Sequence, residues 1–198
     1  MPTAAARSLF LLACLVTLLN AAKPLLIDDA AYYYYARQAA DHPLDPYGFA
    51  AFWWQRPYVA NDVLAPPGLP YWWAAAVRLF GERPVLWKLW LLPFVLLLAG
   101  ALYALFRRFC RGLELPLTWL TVLSPALLPG VNLMLDIPAL ALSLASVVLF
   151  FRAADRDALA LAALAGLVAG LAMETKYTGF LAPVVMLLYA ALYGKWRL

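Results

Sequence analysis

Charge is scarce in this sequence: Asp, Glu, Lys and Arg make up 13% of its 198 residues, against about 25% in an ordinary soluble domain. With 66% of residues apolar, that shortage excludes a water-soluble globule and a disordered chain. Cysteine is almost missing. Cys14 lies inside an apolar run and Cys110 beside arginines, which provides neither a disulfide framework nor metal-ligand spacing. The one histidine, His42, has no Cys, Asp or Glu clustered at ligand spacing and reads as a structural loop residue. The net charge is +4, but the basic residues fall in small groups between apolar runs and form no patch, so nucleic acid is not an expected partner. Internal repeats and low-complexity tracts are also lacking.

What is present is long apolar runs. A membrane-spanning helix needs about 20 mostly apolar residues, and six stretches answer that description: 8–27, 85–106, 117–133, 137–151, 158–173 and 179–193. The expected fold class is therefore all-α: a polytopic membrane protein of about six transmembrane helices with a long first loop, 28–84, carrying interfacial helices. Pro116, Pro125, Pro129 and Pro138 interrupt the third and fourth stretches, where proline kinks or ends helices. A cleaved signal peptide, with Arg7 as its charged region and Leu9 to Leu19 as its core, is the competing reading of the N-terminus. It lacks a small-x-small site before Lys23, and the chain stays apolar to Ile27.

Basic residues set the orientation, because cytoplasmic loops carry the excess of Lys and Arg. If six spans alternate, Arg7, the group Arg107, Arg108 and Arg111, the pair Arg152 and Arg156, and the tail Lys195 and Arg197 share one side. That side is read as cytoplasmic. Eight of the eleven acidic residues then lie on the exoplasmic side.

The acidic residues of that face are the candidate chemistry. Asp28 and Asp29 follow the first span and open a segment, free of Gly and Pro, that can be helical to Asp41. One of them is suited to cap that helix. An ionisable pair at a membrane edge is costly unless solvated or employed, so at least one is a candidate catalytic or ligand-binding group. Tyr32 to Tyr35 read mainly as an interfacial anchor. The loop continues through the turn-rich, aromatic stretch from His42 to Trp54, then Pro66-Pro67-Gly68, then a short amphipathic segment ending near Gly81. Asp136 precedes Pro138 and suits the start of the fourth span, by capping it or by facing the same site as Asp28 and Asp29. Lys176, in Glu174-Thr175-Lys176-Tyr177-Thr178, is either a snorkelling side chain or a phosphate ligand.

At these positions the sequence resembles the polyprenyl-phosphate-dependent glycosyltransferases of the GT-C type, specifically bacterial relatives of protein O-mannosyltransferases and of the lipid A aminoarabinose transferase. The matching features arrive in order. They are Asp28-Asp29, the aromatic first loop with Asp45-Pro46-Tyr47-Gly48-Phe49, Pro66-Pro67 before Tyr71, Met134 to Pro138, and Thr175 to Thr178. The resemblance spans essentially all of residues 1–198 and corresponds to the N-terminal part of such enzymes. Further spans, in a longer reading frame or a partner chain, are therefore expected.

The resemblance implies a hexosyl- or pentosyltransferase that moves a sugar from a polyprenyl-phosphate carrier to a lipid, glycan or protein acceptor, as in lipopolysaccharide modification. It further implies a multi-pass protein of the bacterial cytoplasmic (inner) membrane with its active site facing the periplasm. Asp28 would be the general base, with Asp29 and Asp136 as further catalytic acids, and Lys176 with Tyr177 would meet the donor phosphate. No cofactor is fixed by the resemblance. A divalent metal ion is compatible with the reaction, but many relatives carry Lys or His immediately before the Pro-Pro pair, where this chain has Ala65, and no metal ligand is carried over. A transporter, which more often places charges at mid-membrane, and a non-catalytic membrane subunit are the rival classes.

Overall fold

The computed structural model describes residues 3–25, 28–53 and 55–197. Helix α1 is Ala4–Ala21, started by Thr3, whose hydroxyl accepts from the Ala6 N–H. Helix α2, Asp29–Asp41, follows, then two short strands, β1 (Ala50–Trp53) and β2 (Arg56–Val59), and helices α3 (Ala60–Val63) and α4 (Gly68–Phe80). The rest of the chain is α5 (Pro84–Leu89), α6 (Leu92–Phe109), α7 (Glu114–Val122), α8 (Asp136–Arg156), α9 (Leu159–Thr175) and α10 (Leu181–Tyr193).

Among the described residues, three segments are long and apolar enough to cross a membrane: Ala4–Ala21, Pro84–Phe109 and Asp136–Arg156. The apolar helices Leu159–Thr175 and Tyr177–Tyr193 are shorter. The expected span over 117–133 is not a continuous helix. Helix α7 ends at Val122, and apart from a 3₁₀ turn at Leu128–Gly130 the backbone to Leu135 is irregular. Pro125 and Pro129 explain this, because each lacks an N–H and disfavours helical backbone at the residue before it. Pro116 and Pro138 do no such damage, since both stand in the first turn of their helices, where the N–H has no intrahelical partner.

The structure is mostly helical, as expected, and the first loop adds two short strands that the sequence reading does not foresee. β1 and β2 pair antiparallel, Ala51 opposite Tyr58, around a turn in which Gln55 takes a φ of 70°.

Helices α1, α6 and α8 enclose one core, built on Leu12, Val16, Val95, Leu98, Ile137 and Ala141. Against α8 lies the small-residue face of α9. Ala162, Ala165, Ala169 and Ala172 are buried at helical spacing, while Leu164, Leu167 and Leu171 point outward. Without a hydrophobic drive between helices in lipid, close backbone approach through small residues is what holds such a pair. The outward leucines and the exposed Phe10, Leu11, Leu15 and Leu18 of α1 form surface that water does not favour and lipid does.

Side-chain contacts define the two ends of the bundle. At one, Arg108 pairs with Asp155, Lys195 pairs with Asp157 at 2.6 Å, and Trp119 Nε1 donates to Ser8 Oγ at 2.9 Å. This is the basic end. At the other, Lys176 meets Asp136, and Lys88 meets the backbone just after α1. The chain between α6 and α8 therefore runs the length of the bundle through α7 and the irregular stretch after it. Non-helical backbone at such depth is tolerated where it is covered by protein or lines a cavity. Both hold here, because Val131, Leu133 and Leu135 are buried and the stretch borders a groove.

The first loop folds back over the acidic end. Helices α2 and α4 pack together, with the Arg78 guanidinium on the Ala40 carbonyl and Arg37 paired with Glu82 at 2.9 Å. Trp72 and Trp90 donate to one another's backbone carbonyls at 3.1 and 3.2 Å, which fixes α4 against the start of α6. Gly68 seats the loop on α9: a Cβ there would lie 2.6 Å from the Glu174 carbonyl oxygen, so this approach excludes any larger residue.

Candidate functional site

The turn into α2 is held by a buried lysine. Lys88, 1% exposed, donates from Nζ to the carbonyls of Lys23 at 2.6 Å and Pro24 at 3.1 Å. Asp29, fully buried at the first position of α2, acts electrostatically on the same ammonium. Asp28 precedes it and is half-buried. Among the described residues, the Asp28 side chain makes no capping bond to α2, so the capping role expected of one member of the pair is not what Asp28 does.

One helical turn on, Tyr32 faces both Asp28 and Asp136. Burial and these two carboxylates hold its phenol far above the usual tyrosine value, so it stays protonated and can donate a hydrogen bond at neutral pH. The neighbouring tyrosines pack inward more than the anchor reading implies. Tyr33 stacks on Trp87 at 5.0 Å. Tyr35 is fully buried, and its hydroxyl and that of Tyr47 both donate to the Ala65 carbonyl, at 3.3 and 3.1 Å. Burial pushes both phenols up, helped at Tyr35 by the Tyr47 hydroxyl. Tyr34 alone of the run is well exposed.

Asp136 is the first residue of α8 and half exposed, and its Oδ1 accepts from Lys176 Nζ at 2.6 Å. Lys176 stands in extended backbone between α9 and the 3₁₀ turn Tyr177–Phe180. The ion pair separates two cavities. One, of about 360 Å³, is the more polar of the two and is bounded by Tyr32, Asp62, Lys176 and Tyr177. The other is an apolar groove of about 740 Å³ bounded by Asn132, Asp136, Leu140, Leu144, Leu181 and Val185. Thr178 borders both. Asn132, which borders the groove, is 5% exposed, and its buried Oδ1 has no hydrogen-bond partner among the described residues.

The structure thus brings Asp28, Asp136, Lys176 and Tyr177 to one end of the molecule around Tyr32. It turns Asp29 into the core beside Lys88. Sequence reasoning gave no role to Tyr32 beyond the anchor, and none to Lys88 or Asn132. Asp62 stands near the Pro-Pro pair in sequence, without a motif of its own. His42 occupies the C-cap of α2, as a structural loop residue does. Among the described residues, no three or more His, Cys, Asp and Glu side chains are placed to hold a metal ion, and no metal ligand is assigned.

Residues 65–198 match the family model of dolichyl-phosphate-mannose-protein mannosyltransferases. The chain belongs to this family. No curated protein and no solved structure matches it. The family is of the GT-C type, which makes the chain a membrane glycosyltransferase. The matched residues include Asp136, Lys176 and Tyr177; Asp28, Asp29 and Asp62 precede them.

Proposed function

We propose that this mannosyltransferase-family chain transfers one sugar from a polyprenyl phosphate to a hydroxyl of a lipid, glycan or protein acceptor on the exoplasmic face of a bacterial cytoplasmic membrane. The observation that carries the reading is the Lys176–Asp136 pair between a polar cleft and an apolar groove. A lipid-linked sugar has the same division. Its prenyl chain suits the groove, its phosphate meets Lys176 with Tyr177 beside it, and the sugar and acceptor occupy the polar cleft. The acceptor oxygen attacks the anomeric carbon, the carbon–oxygen bond to phosphate breaks, and Asp28 takes the acceptor's proton. As that bond breaks the phosphate gains negative charge, so a fixed ammonium stabilises the transition state more than the bound donor. The Lys176–Asp136 pair is half exposed and worth about 0–1 kcal/mol, so a phosphate can enter beside Lys176 at little expense. Asp136 then faces the reacting sugar as a second acid. Asp29 contributes through Lys88, by holding the start of α2.

Lys176→Met should lower kcat/KM for the donor by at least about 10- to 100-fold, the worth of a charge-assisted hydrogen bond, through both a higher KM and a lower kcat, while Lys176→Arg retains much of the parent's value. Initial rates against donor concentration, with membrane insertion checked in parallel, decide it. An unchanged kcat/KM would remove Lys176 from the phosphate site.

The reading also requires six crossings, the third made by α7 and the irregular stretch, with the basic end in the cytoplasm. In a background with Cys14 and Cys110 replaced by serine, Leu44→Cys should react with an impermeant thiol reagent on intact spheroplasts and Leu113→Cys should not. Both positions are well exposed. The reverse pattern would invert the topology and refute an exoplasmic site.

A further inference from the structure

At the basic end of the bundle, away from the cleft, a cavity of about 370 Å³ opens between α6 and α8. Its border includes Arg107, Arg108, Arg111 and Arg152, with Tyr103 and Asp155. Arg108 is committed: its guanidinium meets Asp155 at 2.5 and 3.0 Å and donates to the Tyr189 hydroxyl at 3.1 Å. Among the described residues, Arg107, Arg111 and Arg152 belong to none of the ion pairs. Asp155 is therefore matched by Arg108, and three further cations surround one opening.

The cavity continues as an apolar groove of about 480 Å³ along the outer flank of α6 and α8, sharing Gly100, Ala104, Val148 and Arg152 with it. Small residues make this slot. Gly100 and Ala104 lie one turn apart on α6, Ala145 lies across on α8, and a Cβ at Gly100 would meet no atom within 4 Å. A soluble anion would need the arginines alone. An apolar slot leading from them along a flank that faces lipid fits a molecule with a phosphate at one end and a hydrocarbon chain at the other.

We infer that this is a binding site for an anionic phospholipid, whose headgroup phosphate engages Arg107, Arg111 and Arg152 and whose acyl chain lies in the slot between α6 and α8. The inference goes beyond the transfer reaction and rests only on the chain spanning a membrane. Guanidinium groups suit it because their planar forks bind phosphate oxygens in pairs.

The test is native mass spectrometry of the purified full chain in a neutral detergent, with phosphatidylglycerol titrated against phosphatidylcholine. Each basic residue near an anionic headgroup is worth about a five-fold preference, so the parent should retain one phosphatidylglycerol with roughly 100-fold preference over phosphatidylcholine. Replacing Arg107, Arg111 and Arg152 together by Gln should abolish that preference. Gly100→Phe keeps every arginine and fills the slot, and it should also release the lipid. This variant and the headgroup comparison on the parent keep the test decisive if the triple variant folds poorly. Equal retention of the two lipids would overturn the proposal. So would displacement of phosphatidylglycerol by millimolar inorganic phosphate, or unchanged retention in Gly100→Phe, since either marks a plain anion site. Sugar transfer is not the readout, so failure here and failure of the transferase reading are separate results.

Discussion

Asp28→Asn should lower the transfer rate at saturating donor by about 10²–10⁴-fold, the usual worth of a positioned general base, with donor KM and thermal stability close to those of the parent. The substitution keeps the size of the side chain and removes its capacity to take a proton. Helix α2 should tolerate it well, because the Asp28 side chain makes no capping bond among the described residues and Asn is as good a cap as Asp. The turn that carries Asp28 is held by other groups, the Lys88 ammonium on the carbonyls of Lys23 and Pro24. A base at this position would act beside Tyr32, whose phenol lies in the field of Asp28 and Asp136 and borders the cavity containing Lys176. Asp29→Asn should behave differently, losing stability before it loses rate, because Asp29 is buried. The measurement is single-turnover transfer in membranes at matched insertion. Parent-like turnover by Asp28→Asn would move the base assignment to Asp136 or Asp62.

Three of the six expected spans, 8–27, 85–106 and 137–151, fall on helices that are long and apolar enough to cross a membrane among the described residues, and they were legible as apolar runs bounded by charge. Residues 137–151 lie inside α8, and 158–173 coincide with the shorter α9 from Leu159 onward. The stretch 117–133 has the same composition, but Pro125 and Pro129 convert its second half into irregular backbone, and hydropathy does not register that. The β1–β2 hairpin was hidden because its turn uses Gln55 at positive φ, where an Asn-Gly or Asp-Gly pair is the readable signal. In the site, Asp28, Asp136 and Lys176 were legible as ionisable residues at the edges of apolar runs, a location costly enough to demand a reason. Asp62 was not, since its place depends on the loop folding back until Gly68 touches the Glu174 backbone. That is a tertiary event with no local signature. Lys88 was hidden for the opposite reason: inside Trp87-Lys88-Leu89-Trp90 it looks like one charge on an apolar helix, and its three donors acquire meaning only beside the end of α1.

That lysine carries the largest stability effect expected in the chain. Lys88→Met keeps the length and apolar stem of the side chain but removes the ammonium from two backbone carbonyls and from the field of buried Asp29. Losing a hydrogen bond to a charged donor costs about 1.5–3 kcal/mol, and buried Asp29 loses a favourable field in addition. Relief of the lysine's own desolvation works the other way and offsets part of this, while the Asp29 carboxylate stays buried. The expected result is a loss of several kcal/mol, seen as a lower melting temperature in detergent. Combining Lys88→Met with Asp29→Asn should recover part of it by removing the second charge. Where the variant still folds, the rate should fall with the donor KM unchanged, since Lys88 positions Asp28 and touches neither the groove nor Lys176. A Lys88→Met protein that melts with the parent and transfers sugar at the parent's rate would show that the start of α2 is held by other contacts. The lysine would then have no part in placing the base.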